Sequence, residues 1–361
     1  MLLKRLGINE TFAALALVFL AVFPMFASEF RVELMGKFIV FILFAFSLNL
    51  IWGYTGLLSL GHAVFFGLGG YVLALSYSLQ DGVPSFMARF NIEEIPLLMR
   101  PLLSTPLALL LGLLIPALLA GLIGYFVFKS RVSGVYFSII TLALAKLFEM
   151  LIVNMQAYTG GFNGLMGLPR FPVGGEPMDL VPYYYLVLAV TAAAFLFTRW
   201  LTHSHFGKVI KSIREDESRI RFLSYNPANY KIFVFAVSGL LAGLAGMLYV
   251  PMNGFISPQD SGIAMSTSLV IWLAIGGRGT LMGPIVGVLI VNWLSNLLSE
   301  QYPTLWQLIL GGVMVLIVLY LPGGIYGAVE SWWKDRGLRK KYAAKEDQEG
   351  EAVLYKESEV L

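Results

Sequence analysis

The stretch GYTGLLSLGHAVFFGLGGY, residues 53–71, decides the fold of this chain. It is apolar enough for a membrane, yet it carries six glycines, the histidine His62 and hydroxyl groups at Thr55 and Ser59. Helices in lipid gain little from hydrophobic attraction, so small residues line their contacts and let backbones approach closely. Glycine also permits broken or re-entrant backbone, which a membrane tolerates only where protein buries it or where it lines a cavity. The stretch therefore predicts either close helix packing or a break whose peptide groups can hold a polar, uncharged solute.

The composition of the whole chain requires a bilayer as its solvent. Of 361 residues, 58% are hydrophobic and only 13% are charged, and the mean hydropathy is +0.76. A soluble domain is typically about 45–50% apolar and about 25% charged. The net charge of +3 is too small to indicate a nucleic-acid partner, and the absence of cysteine excludes disulfides and thiolate chemistry.

Ten apolar runs are candidate transmembrane helices, since about 20 mostly apolar residues span a bilayer. The first is interpreted as a retained span and not as a signal peptide, because no small-x-small cleavage site clearly follows it. The prediction is an all-α polytopic membrane protein with eight to ten transmembrane helices, some of them broken or re-entrant. The runs lie at 11–28, 35–52, 57–79, 104–127, 134–156, 182–200, 231–250, 265–277, 281–298 and 305–322.

Lysine and arginine concentrate on one side of this arrangement, which orients the chain because cytoplasmic loops carry an excess of both. With ten spans, both termini are cytoplasmic, and a charged cytoplasmic tail at 334–361 follows a transmembrane domain at 1–333. The predicted inner side holds Lys4, Arg5, Lys129, Arg131, the basic residues of 199–231, Arg278 and those of the tail, against Arg31, Lys37, Arg89, Arg100 and Arg170 outside.

Polar residues in or beside the apolar runs are candidates for a solute path. Hydroxyl, amide and backbone groups suit a small neutral solute such as urea without any charge. Structural alternatives remain: the glycines serve packing, His62 is a satisfied hydrogen-bonding partner, and the cluster TGGFNGLMGLP at 159–169 forms a turn instead of the rim of a path. The candidate path residues are Asn49, Tyr54, Thr55, Ser59, His62, Gly161, Asn163 and Asn253.

One pair of opposite charges lies inside a predicted span. Lys146 and Glu149 are three residues apart, which places them on one helix face. Ionisable groups within a membrane suggest function, so a self-neutralising structural pair and a role in the solute path or in gating both fit. The apolar runs hold no series of carboxylates or histidines for proton coupling, and the three histidines of the chain predict no metal site.

The longest polar insertion on the predicted inner side is 201–231. Its apolar residues recur at near-helical spacing with charges between them, and Asn226-Pro227 ends the pattern. This predicts one short amphipathic helix, either solvated at the interface or pressed into a cleft of a soluble partner. The pattern GxxxxGK[ST] is absent, so the chain has no P-loop of its own for ATP. The apolar residues are Val209, Ile210, Ile213, Ile220 and Leu223.

Several motifs in one order resemble the LivM-type permeases, membrane subunits of bacterial ATP-binding-cassette importers for branched-chain amino acids and related solutes. They are the segments 49–71, 159–169, 213–235, 242–250 and 272–287, and the resemblance runs from about residue 35 to 327. It implies a bacterial cytoplasmic membrane protein with a second, LivH-like permease subunit, two ATPase subunits that bind ATP, and a periplasmic or extracellular solute-binding protein. It implies no cofactor or metal and no covalent chemistry. The ATPase-coupling residues carried over are Arg214, Glu215, Asp216, Glu217, Ser218, Arg219, Leu223 and Ser224.

Within that family the chain is most similar to the urea-permease branch, in LIWGYTGLLSLGHAVFF, RFLSYNP and VIWLAIGGRGTL. One departure is GGFNGLMG, because urea permeases tend to have GGNNGLT at this place. The motif GGFNGLMG leans towards the amino-acid type. The resemblance therefore implies import of urea or a similar small amide by alternating access, with branched-chain or other amino acids as the alternative. A second alternative is a passive channel that needs no ATPase. An intramembrane enzyme would need a nucleophile with a base or a metal cluster, and the sequence shows neither.

Overall fold

The computed structural model describes residues 8–132, 134–173, 176–321, 323–331 and 333. The predicted tail at 334–361, with Lys4 and Arg5, lies outside these residues. Within them the α-helices are α1 (Ile8–Val22), α2 (Glu29–Leu48), α3 (Ala63–Leu79), α4 (Ser85–Ala88), α5 (Thr105–Lys129), α6 (Val135–Asn154), α7 (Gln156–Thr159), α8 (Leu180–His203), α9 (His205–Glu215), α10 (Glu217–Phe222), α11 (Pro227–Asn253), α12 (Ile263–Gly276), α13 (Gly283–Gln301) and α14 (Trp306–Tyr320).

Each of the ten predicted apolar runs corresponds to a helix of the structure. Among the described residues, five helices are long and apolar enough to cross a membrane by length and composition: α2 with its extension to Gly53, α5, α6, α8 and α11. The other five, α1, α3, α12, α13 and α14, have 14 to 19 residues. An all-α polytopic membrane protein is confirmed, whereas the exact number of crossings stays a prediction.

The predicted outer loops contain short strands that tie distant segments together. Strand β1 (Leu165–Met166) pairs antiparallel with β4 (Phe255–Ile256), and β2 (Pro172–Val173) pairs with β3 (Glu176–Pro177). The β1–β4 pair joins the segment after α6 to the end of α11. Both segments were predicted outside, so the pairing agrees with the topology derived from the loop charges.

Helix α11 is the central helix and packs against α2, α3 and α5. Its glycines bring backbones into direct contact with α3. A Cβ atom added to Gly246 would lie 1.8 Å from the carbonyl oxygen of Phe66, and one added to Gly69 would lie 2.1 Å from that of Gly243. Small residues therefore serve close packing here, as expected of helices in lipid.

The stretch 53–71 contains a break, although the predicted start of its helix at residue 57 is wrong. Helix α2 continues as a π-helix over Asn49–Gly53, and α3 begins only at Ala63. Side chains of α6 satisfy the intervening backbone: Ser138 Oγ donates to the Leu58 carbonyl at 2.7 Å, and the Leu60 amide donates to Thr141 Oγ1 at 3.0 Å. Buried peptide groups need such partners, and α6 supplies them from 80 residues away in sequence.

Candidate translocation and coupling site

The predicted path residues fall into three separate groups along the helices. Asn49, Tyr54 and Thr55 lie at the end predicted to face the cytoplasm. Ser59 and His62 lie in the buried break before α3. Gly161, Asn163 and Asn253 lie at the predicted outer end. The structure does not join them into one lined path, so their contact with solute stays a prediction.

In the inner group, Asn49 connects α2 to the turn between α12 and α13. Its Nδ2 donates to the Thr280 carbonyl at 2.8 Å, and its Oδ1 accepts from the Gly279 amide at 2.8 Å. The side chain is fully buried. Gly53, one π-helical turn further on, accepts a 2.6 Å hydrogen bond from Arg214 Nη1. Three segments thus meet here: the end of α2, the 279–280 turn and helix α9.

The other two inner residues make one local and one longer-range contact. Thr55 Oγ1 donates to the Ile51 carbonyl of its own helix at 2.5 Å. The ring of Tyr54 lies 5.4 Å from Lys211 Nζ of α9 in a cation–π contact. Both residues are buried, and both stabilise the end of α2 beneath helix α9.

In the middle group, His62 is fully buried and connects α2 with α11. Its Nε2 lies 2.9 Å from Ser47 Oγ and 3.2 Å from Ser238 Oγ. Each hydroxyl donates its proton to a carbonyl, Ser47 to Phe44 and Ser238 to Ser47. Since a serine has one proton to give, we assign the imidazole proton to Nε2, which then donates to the two hydroxyls.

Two buried polar atoms of the middle group have no hydrogen-bond partner within the described residues: His62 Nδ1 and Ser59 Oγ. Buried polar atoms are normally paired. Both residues are fully buried, so binding of a solute by these two groups stays a prediction.

In the outer group, Gly161 is buried, Asn253 is half-buried and Asn163 is exposed. The glycine cluster forms a tight turn, because Gly164 has φ +68° and a Cβ there would lie 2.0 Å from the Ile256 carbonyl oxygen. A cavity of about 600 Å³ lies beside the turn, and Asn163 lines it. The structural interpretation of the cluster is thus correct, and the cluster also borders an outer cavity.

The predicted pair Lys146 and Glu149 is formed on α6, with 3.4 Å between Nζ and Oε2. The Lys146 side chain is 55% exposed and that of Glu149 is 24% exposed. The carboxylate lies near the start of α12, because a Cβ added to Gly262 would lie 2.8 Å from Glu149 Oε2. The pair lies at a helix surface, and its role in transport stays a prediction.

The coupling segment consists of two helices, so the prediction of one amphipathic helix is wrong. Helix α9 ends at Glu215 and α10 begins at Glu217. Asp216 adopts extended backbone between them, and its Oδ1 accepts from the amides of Ser218 at 3.0 Å and Arg219 at 3.2 Å. An aspartate in this position caps a helix N-terminus, and it breaks the segment at that residue.

The apolar residues of the segment separate into two sets. Ile210, Ile213 and Ile220 are buried against the rest of the chain, whereas Leu223 is 65% exposed and Phe222 is 89% exposed. Phe222 was not predicted as part of the apolar face, since its position does not match the helical spacing of the other apolar residues. Phe222 and Leu223 therefore form an exposed apolar pair at the end of α10.

Glu217 holds α10 against the start of α11. Its two carboxylate oxygens accept from Arg221 Nη2 at 2.6 Å and from the buried Lys231 Nζ at 2.5 Å. Burial opposes its ionisation, but the hydrogen bonds and charges of Lys231 and Arg221 hold the pKa of Glu217 below its usual value. The Ser218 hydroxyl and the Arg219 amide likewise hold the pKa of Asp216 low.

Buried breaks in apolar helices, a largely uncharged polar interior and an amphipathic inner segment are features of a polytopic membrane permease. A family model described as the branched-chain amino acid transport system permease component matches residues 30–319. The chain therefore belongs to this family and is the permease component of an ATP-binding-cassette importer, a multi-pass membrane protein.

Known relatives agree with this assignment. The chain is 27% identical over 342 residues to the high-affinity branched-chain amino acid transport system permease protein LivM of Salmonella typhimurium. The matched region covers 88% of this chain and 75% of the relative. It is 25% identical over 258 residues to the ribose import permease protein RbsC of Haemophilus influenzae, and the matched region covers 69% of this chain and 74% of the relative. A probable LivM of Methanocaldococcus jannaschii is 23% identical over 77% of this chain. No solved structure matches.

Proposed function

We propose that this permease imports branched-chain or other amino acids as one half of a path that partner ATPases drive. The likeness to LivM of Salmonella typhimurium, spread over 88% of the chain, carries this proposal. The family of the chain supports two ATPase subunits and an external solute-binding protein as its partners. A second, LivH-like permease subunit would supply the other half of the path.

The coupling mechanism follows from the inner contacts. Phe222 and Leu223 dock into a cleft of the ATPase, and movement of that cleft displaces helices α10 and α9. Arg214 passes the displacement to Gly53 through its 2.6 Å hydrogen bond. Asn49 passes it on to the turn at Gly279. Alternating access then arises from movement at the two inner breaks, while the glycine-packed contact of α3 with α11 stays rigid.

Urea or a similar small amide is a second candidate substrate, favoured by the uncharged interior. Apart from Lys231, the buried polar side chains of the described residues are hydroxyls, one amide and one imidazole. Such groups match the N–H donors and carbonyl of urea, whereas a zwitterion gains most from charges or helix termini. The motif LIWGYTGLLSLGHAVFF at 50–66 supports the same candidate.

Uptake by the complete complex in proteoliposomes discriminates these substrates. ATP-dependent uptake of labelled leucine but not urea would support amino-acid import, and the reverse result would support the second candidate. Uptake at full speed by this chain without ATPases would refute both and leave a passive channel.

The coupling proposal has its own test in variants of the inner surface. Phe222→Ser should lower ATPase binding to the permease, whereas Leu98→Ser should not, because Leu98 is 92% exposed in a predicted outer loop. Arg214→Gln should keep ATPase binding but reduce the uptake per ATP hydrolysed, since it removes the bond to Gly53. Unchanged coupling in Arg214→Gln would refute this route of transmission.

A further inference from the structure

A basic cavity of about 380 Å³ lies at the inner end of α5, beside the coupling segment. Its cations are Lys129, Arg131 and Arg221, and its described lining includes no acidic residue. Arg221 is fixed by its 2.6 Å contact with Glu217. Lys129 and Arg131 form no ion pair within the described part of the chain. Two unpaired cations and one oriented guanidinium thus converge on one small space.

An exposed apolar stripe leads along α5 to this cavity. Leu118, Leu122 and Tyr125 are 68%, 55% and 52% exposed. Their spacing of four and three residues keeps them on one helix face, and four residues further the same face reaches Lys129. Phe126 adds a 64% exposed ring beside the stripe. The helix therefore presents hydrocarbon surface that ends in positive charge at the predicted inner boundary of the membrane.

We propose that the cavity binds the phosphate of an anionic phospholipid from the inner leaflet, whose acyl chains lie along the α5 stripe. Basic pockets between transmembrane helices on the cytoplasmic side suit anionic lipid headgroups. Cations that served only to orient the chain would not need to share a cavity. A free phosphate ion would use the cations but not the stripe. The lipid would contact Arg221, one residue before Phe222, and so stabilise the coupling segment on the membrane.

Lipid binding to the full-length chain in detergent, measured by native mass spectrometry, tests the proposal. The probes are phosphatidylglycerol and phosphatidylcholine with identical acyl chains, with inorganic phosphate as competitor. Each cation near a membrane surface changes affinity about fivefold. Lys129→Gln/Arg131→Gln should therefore lower phosphatidylglycerol affinity about 25-fold, whereas Lys208→Gln, an exposed inner-side control, should change it less than twofold.

A second variant tests the stripe without touching the charges. Leu122→Gln should weaken long-chain phosphatidylglycerol more than a short-chain analogue, because only the long chain reaches along α5. Equal affinity of the wild type for both headgroups, an equal loss in Lys208→Gln, or full displacement of the lipid by inorganic phosphate would overturn the proposal.

Discussion

The contact between α3 and α11 should fail on addition of a single methyl group at Gly246. The added Cβ would lie 1.8 Å from the Phe66 carbonyl oxygen and 3.0 Å from the Gly70 nitrogen. Ordinary contact begins at 3.4 Å, so the two helices must move about 1.6 Å apart. Both obstructing atoms belong to the backbone, so no side-chain rotation can relieve the clash.

The expected loss of stability in Gly246→Ala is about 3 kcal/mol, the upper part of the usual range for overpacked cores. Gly121→Ala is the matched control on α5, because its Cβ would meet Ala236 at an ordinary 3.6 Å. Gly312→Ala on α14 meets nothing within 4 Å. Both controls should keep or slightly raise stability, since alanine restricts the unfolded chain more than glycine does.

The assay is unfolding by sodium dodecyl sulfate in mixed micelles, followed by tryptophan fluorescence, with ATP-driven uptake as a second readout. Gly69→Ala should also destabilise, because its Cβ would lie 2.1 Å from the Gly243 carbonyl oxygen. The double variant Gly69→Ala/Gly246→Ala should lose less than the sum of the singles, since one separation of α3 from α11 relieves both clashes. If Gly246→Ala unfolds at the same midpoint as Gly121→Ala, the close backbone contact is not formed.

Three further predictions concern hydrogen bonds. Asn49→Leu should cost about 2–3 kcal/mol in the same unfolding assay, because it leaves the Gly279 amide and the Thr280 carbonyl unpaired; an unchanged midpoint would contradict those bonds. Histidine-selective ¹⁵N NMR should show His62 as the Nε2–H tautomer, and an Nδ1–H signal would refute the assigned donor. Glu217→Gln should destabilise by about 1.5–3 kcal/mol, since the buried Lys231 loses its anionic partner. Because the pKa of Glu217 is lowered, the stability that its carboxylate contributes is present above the ordinary glutamate pKa and is lost as the pH falls through the lowered pKa. Glu217→Gln should abolish this loss of stability at acid pH. An identical dependence of stability on pH in the variant and the wild type would contradict the lowered pKa.

Much of the fold could be predicted because its signals are local. Hydropathy located the ten helices, and the glycine content of 53–71 indicated either close packing or a broken backbone, of which the structure contains both. The exact start of α3 could not be predicted, because Ser138 and Thr141 of a distant helix satisfy the peptide groups that precede it. Local spacing also could not place Leu223 on the exposed side, because Leu223 lies past the last residue of α10, where the helical spacing ends.

The candidate site was less predictable, since it depends on which polar groups meet across helices. Ser47 and Ser238 were not among the predicted path residues, and nothing in the sequence pairs either with His62. Arg214 was assigned to partner docking from the resemblance, whereas its guanidinium turns inward to Gly53. Contacts between residues more than 150 positions apart, such as this one, leave no periodic trace in the chain.

The division between rigid and movable parts follows from where backbone groups are satisfied. Along α11 the glycine contacts join continuous helices, so movement there would cost packing along the whole interface. At the inner end, α2 finishes in a π-helix at Gly53, and α12 stops before the turn at Gly279. Both interruptions are held by hydrogen bonds from two side chains, Asn49 and Arg214. In the proposed mechanism, a force applied through α9 acts first where helices are already interrupted, so the two inner breaks would form the gate and the α3–α11 contact its fixed frame.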